Sequence, residues 1–213
     1  MAPRNPIPPL TAASGLVVVI RGRDASQYPE VIDTLAEAGV RSVELTLSTP
    51  KTLDVLPELA ERYGEGMDVG IGTVTSRAQL LRALDGGARY IVTPVTNVEL
   101  VETAVASGVP ILPGGLTPTE LFSSWSAGAS AVKVFPAGVV GPGYIKDLRG
   151  PFPDIEVVPS GGVDLDSAQA WLRAGAAAVS VGGPLLGDAL KGGSLAELAA
   201  RARDFVAAVG EAR

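Results

Sequence analysis

Apolar residues recur along this chain in two alternating rhythms. Short β-branched runs stand at 16–20, 42–47, 69–74, 90–93, 109–112, 131–135, 155–159 and 178–182. Most are near-continuous, the pattern of parallel strands covered on both faces. Between them lie stretches rich in Ala, Leu and Glu with helical spacing, at 28–38, 50–63, 76–84, 97–106, 119–125, 144–149, 165–172 and 195–209. In the first of these, Val31, Leu35 and Ala38 fall on a common face. A small-residue punctuation then closes helix after helix: Ala38-Gly39-Val40, Gly86-Gly87-Ala88, Ser107-Gly108-Val109, Ala127-Gly128-Ala129 and Ala174-Gly175-Ala176. Each reads as a glycine cap followed by entry into the next strand.

One strand–loop–helix–glycine unit therefore recurs eight times in about 200 residues. This predicts an α/β fold of the (β/α)8 TIM-barrel type, built as one domain over 1–213. A doubly wound open sheet is the alternative, but it seldom needs eight evenly spaced parallel strands. In a barrel the chemistry lies at the C-terminal strand ends. Taken in order, those ends carry Arg21, Glu44-Leu-Thr46-Leu-Ser48, Gly70-Ile-Gly72-Thr73, Thr93-Pro94, Pro113-Gly114-Gly115, Lys133-Val-Phe135-Pro136, Ser160-Gly161-Gly162 and Gly182-Gly183-Pro184. The opposite ends read as Ala, Gly and Val, so the expected site lies among the polar and glycine residues of the first set.

Composition narrows the chemistry. Hydrophobic residues make up 46% of the 213 and charged residues 19%, as befits one large core. A net charge of −6 and the lack of a basic run argue against nucleic acid or an anionic membrane as partner. The sequence contains neither cysteine nor histidine. That removes thiol catalysis, the commonest metal ligands and the commonest general base, so no metal and no cofactor is expected. The proline-rich start lacks a signal peptide's apolar core and no apolar run reaches a membrane span, which makes the cytoplasm the expected compartment.

Against that background Lys133 stands out. It is one of four lysines, and it alone falls inside a buried strand, Ala131-Val-Lys-Val-Phe135. A strand side chain stands perpendicular to its sheet and cannot easily snorkel to water. Burial disfavours a charged ammonium, and a neutral amine adds to carbonyls. The plainer alternative is a lysine paired to a carboxylate for structure. Glu44 is the second charge inside a strand, and alternation puts Glu44, Thr46 and Ser48 on one face toward the mouth. A buried Lys–Glu pair is a weak source of stability but a good acid/base pair. Ser160-Gly161-Gly162 and Gly182-Gly183 end the seventh and eighth strands, where barrels frequently hold phosphate on glycine amides. Gly70-Ile-Gly72-Thr73 lacks the third glycine of a dinucleotide fingerprint and reads as close backbone approach beside the substrate.

Val-Glu-Leu-Thr-Leu, Gly-Ile-Gly-Thr-Val, Ile-Val-Thr-Pro, Leu-Pro-Gly, Val-Lys-Val-Phe-Pro and Ser-Gly-Gly-Val occur here in that order, from about Leu16 to the last helix. Together they resemble the 2-keto-3-deoxy-6-phosphogluconate and 6-phosphogalactonate aldolase family. The resemblance implies a trimeric class I aldolase that releases pyruvate from a phosphorylated keto acid. It implies Lys133 as the Schiff-base lysine and Glu44 as the acid/base. Thr73 would contact the keto acid, and Gly161, Gly162, Gly182 and Gly183 would lie at the phosphate. Pro94, Phe135 and Ser160 are carried with these strand ends into the expected substrate-binding set. Phosphogluconate-type members carry arginine where this chain has Ser48, and Arg21 stands instead at the end of the first strand, with Arg23 as its same-face alternative. That swap and Gly141-Pro-Gly-Tyr-Ile-Lys146 look like the phosphogalactonate branch, whereas Arg149-Gly-Pro-Phe-Pro153 looks like the phosphogluconate branch. The other readings kept in view are 4-hydroxy-2-oxoglutarate cleavage as the main activity and a sugar-phosphate-binding barrel without turnover.

Overall fold

The computed structural model describes residues 4–213; residues 1–3, where the proline-rich start begins, lie outside the described residues. Eight strands are present: β1 (Leu16–Ile20), β2 (Ser42–Thr46), β3 (Asp68–Gly72), β4 (Ile91–Thr93), β5 (Ile111–Gly115), β6 (Val132–Val134), β7 (Val157–Pro159) and β8 (Val179–Val181). All pair in parallel with their sequence neighbours from β1 to β7, and β8 pairs with β1. The ring closes between β7 and β8, where Ser160 and Ser180 form a single bridge and the Ala177 amide donates to the Val157 carbonyl at 2.9 Å. This is a (β/α)8 TIM barrel, as the repeated unit predicts, and the open-sheet alternative falls away.

Ten α-helices accompany the strands: α1 (Pro9–Ser14), α2 (Tyr28–Glu37), α3 (Thr52–Tyr63), α4 (Arg77–Asp85), α5 (Val98–Ala106), α6 (Pro118–Ser126), α7 (Tyr144–Arg149), α8 (Leu165–Arg173), α9 (Gly183–Leu186) and α10 (Leu195–Ala212). Their starts are chemically marked. Ser76, Thr117 and Asp164 each accept the N3 amide in a reciprocal capping box, and Asn97 and Ser194 cap with a single bond. The five glycines read as helix stops all hold φ between 73° and 104°, a conformation a Cβ would strain. Among the described residues no helix is long and apolar enough to cross a membrane.

Strand alternation sorts the apolar residues into two cores. Val17, Tyr90, Val92, Leu112, Ala131, Val158 and Ala178 fill the inside of the barrel. Their neighbours Val18, Ile91, Ile111, Val132, Val157 and Val179 face the helices. Both faces are dry, which is why the strands read as unbroken apolar runs.

Four sequence expectations shift. The fifth strand was expected at 109–112 but runs over Ile111–Gly115, because Gly114 and Gly115 pair with Lys133 and Val134 of β6. A Cβ on Gly114 would come within 2.7 Å of the Pro94 carbonyl group, so strand pairing there requires glycine. The third strand stops at Gly72 rather than residue 74, since Thr73 turns to φ 63°. Gly70 and Gly72 do not leave room for substrate. The missing side chain of Gly70 is filled by the Tyr90 ring, and that of Gly72 by the Glu44 carboxylate.

The N-terminal end of the barrel is not the plain Ala/Gly/Val floor expected. The short helix α1 plugs it, and the buried Thr11 donates its amide and hydroxyl to Asp68 at 2.7 and 2.9 Å. The chain of hydroxyls continues through Ser42 to Tyr90, whose own hydroxyl donates to the Val43 carbonyl at 2.9 Å.

Candidate active site

At the C-terminal ends of the strands lies a cavity of about 500 Å³. Lys133 enters it from the centre of β6, flanked by Val132 and Val134, which point outward into the helix-facing core. Its backbone is held on both sides, opposite Gly114 of β5 and Val158 of β7. Glu44 enters from β2, between Val19 and Gly70. Both are buried, at 7% and 1% exposure. Lys133 Nζ stands 3.6 Å from Glu44 Oε1, an ion-pair distance but too long for a hydrogen bond. Glu44 Oε2 has no hydrogen-bond partner among the described residues although it is buried. Leaving such an oxygen unanswered costs on the order of 1–3 kcal/mol. The pair is therefore poor as a structural bridge and open to a proton-bearing ligand. Gly72 makes the geometry possible, because any side chain there would overlap the Glu44 carboxylate.

The remaining wall is built from the loops that follow the strands. The Phe135 ring centroid lies 5.5 Å from Lys133 Nζ, within cation–π reach. Thr73 lines the cavity from a left-handed backbone position, strain of about 1–3 kcal/mol that clusters at functional sites. Pro94 lines it from the end of β4. Ser160 and Ser180 touch side chain to side chain at 3.2 Å where the barrel closes. The loops after β6 and β7 are stitched together, with Ala137 and Gly138 amides donating to Ser160 and Gly161 carbonyls at 2.8 and 2.9 Å. Gly161 and Gly162 are both left-handed, at φ 80° and 78°. Gly161, Gly162, Gly182 and Gly183 line the cavity, and their amides find no protein acceptor among the described residues.

The expected catalytic and substrate-binding set, namely Arg21, Glu44, Thr73, Pro94, Lys133, Phe135, Ser160, Gly161, Gly162, Gly182 and Gly183, borders this one cavity. Arg21 reaches it from the end of β1, and Arg23 does not. Thr46 and Ser48 do not line it either. The strand ends at Thr46, whose hydroxyl donates to the Ile20 carbonyl at 3.2 Å, and Ser48 in the following turn donates to that hydroxyl at 3.1 Å. Two polar wall residues escape sequence reasoning, beside apolar ones such as Val19, Val163 and Leu186. Ser180 looked like ordinary strand filler, and Lys191 follows β8 in a glycine-rich stretch with no helical or strand rhythm to locate it.

Comparison with known proteins gives the family and the fold. The family model for KDPG and KHG aldolases matches residues 10–200. The 2-dehydro-3-deoxy-6-phosphogalactonate aldolase of Escherichia coli K12 is 34% identical over 198 residues, covering 92% of this chain and 95% of the relative. A solved native KDPGal structure superposes with a TM-score of 0.86 at 32% identity, covering 100% of this chain and 98% of the other. KDPG aldolase from Legionella pneumophila, solved with pyruvate captured as a covalent carbinolamine, superposes with a TM-score of 0.84 at 25% identity, covering 91% and 95%. This chain belongs to the KDPG and KHG aldolase family, and it is an aldolase by that membership.

Proposed function

We propose that the protein is a class I aldolase that cleaves 2-dehydro-3-deoxy-6-phosphogluconate or its galactonate epimer to pyruvate and glyceraldehyde 3-phosphate. The observation that carries this reading is the buried Lys133–Glu44 pair at the cavity floor, with one carboxylate oxygen unanswered. In its unprotonated form Lys133 Nζ adds to the C2 ketone, and Glu44 delivers a proton to the developing alkoxide. Glu44 then takes one proton back from the newly bonded nitrogen and passes it to the leaving hydroxyl, so the carbinolamine loses water and becomes a protonated imine. Removal of the C4 hydroxyl proton by the Glu44 carboxylate breaks the C3–C4 bond. Its electron pair enters the imine as an enamine, and the aldehyde departs. Protonation of the enamine at C3 and hydrolysis release pyruvate and free Lys133.

The other wall residues have matching tasks in this reading. Arg21 holds the keto-acid carboxylate, Thr73 and Pro94 shape its pocket, and Phe135 covers the imine. Ser160 and the free amides of Gly161, Gly162, Gly182 and Gly183 receive the phosphate. The reading carries with it a homotrimer working in the cytoplasm. Support for assembly comes from Val95, Phe135, Val139 and Val140, which are exposed on loops around the mouth, Val139 at 70%. Light scattering on the purified protein tests it.

The mechanism is tested by incubation with pyruvate, borohydride reduction and peptide mass mapping. A pyruvyl adduct on Lys133 is expected. An adduct on another lysine, or none, removes the Schiff-base reading. Pyruvate release from each phosphorylated epimer and from 4-hydroxy-2-oxoglutarate then ranks the substrates.

A further inference from the structure

The cavity carries more positive charge than the mechanism uses. Besides Lys133 and Glu44, its charged wall residues are Arg21 and Lys191. Neither of these forms an ion pair with any described carboxylate. Lys191 ends a 3-10 turn, Ala189–Lys191, whose backbone is fixed: the Lys191 amide donates to the Asp188 carbonyl at 2.7 Å, and Leu190 is buried. Gln27 ties this turn to the loop after β1. Its Nε2 donates to the Leu190 carbonyl at 3.0 Å, and its Oε1 accepts the Arg23 amide at 3.2 Å. One side chain thus sets the spacing between the loops that carry the two free cations.

We propose that Lys191 meets the phosphate end of the substrate, and that Gln27 is a positioning residue holding the Lys191 turn against the loop after β1. The proposal rests on the aldolase reading for the identity of that ligand. A phosphate monoester carries about −1.5 to −2 charge at neutral pH. The amides of the glycines that line the wall supply hydrogen bonds but no net charge. Gly183, with open space where a side chain would stand, offers nothing beyond its amide. Lys191 lies in the same segment after β8 as Gly182 and Gly183, and all three line the one cavity. An ammonium on a flexible stem suits a phosphate as a point charge, whereas the planar Arg21 suits a carboxylate.

Kinetics of Lys191→Gln test this. KM for the phosphorylated keto acid is expected to rise about 10- to 50-fold, in the range of one charge-assisted hydrogen bond. The kcat should stay within about twofold, and borohydride trapping of pyruvate on Lys133 should match the parent. Lys191→Arg should recover most of the loss. Affinity for glycerol 3-phosphate, an unreactive phosphate monoester, should fall by a similar factor in calorimetry. Gln27→Leu should show a smaller rise in KM, about 3- to 10-fold, again confined to phosphorylated ligands. Unchanged affinity for both phosphorylated ligands in Lys191→Gln would overturn the proposal, and so would an equal loss with pyruvate alone. A loss spread over every ligand in Gln27→Leu would remove its positioning role. If the parent traps no pyruvate, the aldolase reading fails on its own, while the glycerol 3-phosphate titration still decides the role of Lys191.

Discussion

Two carboxylates stand inside this barrel on adjacent strands, and their surroundings are opposite. Asp68 opens β3 at the N-terminal end, buried at 5% exposure, and one of its oxygens receives both the amide and the hydroxyl of Thr11. Glu44 lies in the middle of β2, buried at 1%, with Lys133 Nζ at 3.6 Å and one oxygen that nothing among the described residues answers. Burial alone does not distinguish them; the use made of their lone pairs does. A buried acceptor filled by donors from its own fold ties elements together, here α1 to β3. A buried acceptor left open stores a cost of about 1–3 kcal/mol that a ligand proton can recover. The same residue class in the same barrel thus ties the fold together at one end and, in the proposed reading, serves chemistry at the other.

The largest expected effect breaks this comparison at the top. Glu44→Gln keeps the shape but removes the proton shuttle, so kcat should fall by about 10²–10⁴-fold. The protein should stay folded, with some fall in the thermal midpoint, because the buried Lys133 amine loses its carboxylate partner. Steady-state kinetics beside a melting curve decide it; a variant within about twofold of the parent in kcat contradicts the assignment. Asp68→Ala should do the reverse. It strands the buried Thr11 amide and leaves the Thr11 hydroxyl only Ser42 as partner, at a cost of about 2–5 kcal/mol. For a chain of this length that is about 5–15 °C in Tm, with kcat at saturating substrate within about twofold. A fall in kcat without a fall in Tm would show that the two ends do not divide the work as described.

Much of this architecture is legible in the sequence, for a physical reason. Parallel strands buried on both faces, capped helices and left-handed glycines are local patterns, and each repeats along the chain. Lys133 and Glu44 were visible because a charge inside an apolar run contradicts its neighbours. Asp68 was not, since it precedes its run and reads as a loop residue; only α1, a six-residue helix with no rhythm of its own, reveals its partner. Gly72 illustrates a different limit. Its spacing announced a close approach, but whether a ligand or a side chain fills the gap depends on a carboxylate from the neighbouring strand. Lys191 depends on a contact between loops 163 residues apart through Gln27, which no local pattern carries.

A third test sharpens the description of the top end. Arg21→Lys retains the charge at the mouth but loses the planar fork that fits a carboxylate. The expected loss is roughly 1.5–3 kcal/mol in pyruvate affinity, the range for hydrogen bonds to charged groups. Pyruvate has no phosphate, so the effect isolates the carboxylate end from Lys191. If Arg21→Ala binds pyruvate as well as the parent does, the clamp is elsewhere.

The smallest effect probes the partition between the two ends, where Tyr90 lies. Its ring fills the gap beside Gly70, and its hydroxyl links Ser42, and through it Thr11 and Asp68, to the Val43 carbonyl. Full burial pushes its ionisation well above the ordinary tyrosine range; the bond from Ser42 opposes this, and the nearby charges of Glu44 and Asp68 add to it. The hydroxyl is therefore a fixed neutral donor, not a carrier of protons between the carboxylates. Tyr90→Phe should cost about 0.5–1.5 kcal/mol, the value of one net hydrogen bond, and leave kcat within about twofold. The alkaline limb of stability offers an independent readout. All four tyrosines have raised values in the folded state. In the unfolded chain they ionise near pH 10. The folded state then holds more protons than the unfolded one, so stability is complete below that pH and declines as pH rises toward the folded values. Removing the Tyr90 hydroxyl removes the most buried contributor, and the decline of Tm above about pH 10 should become shallower. A kcat that drops tenfold instead, with the alkaline limb unchanged, would mean that Glu44 draws on the floor network after all.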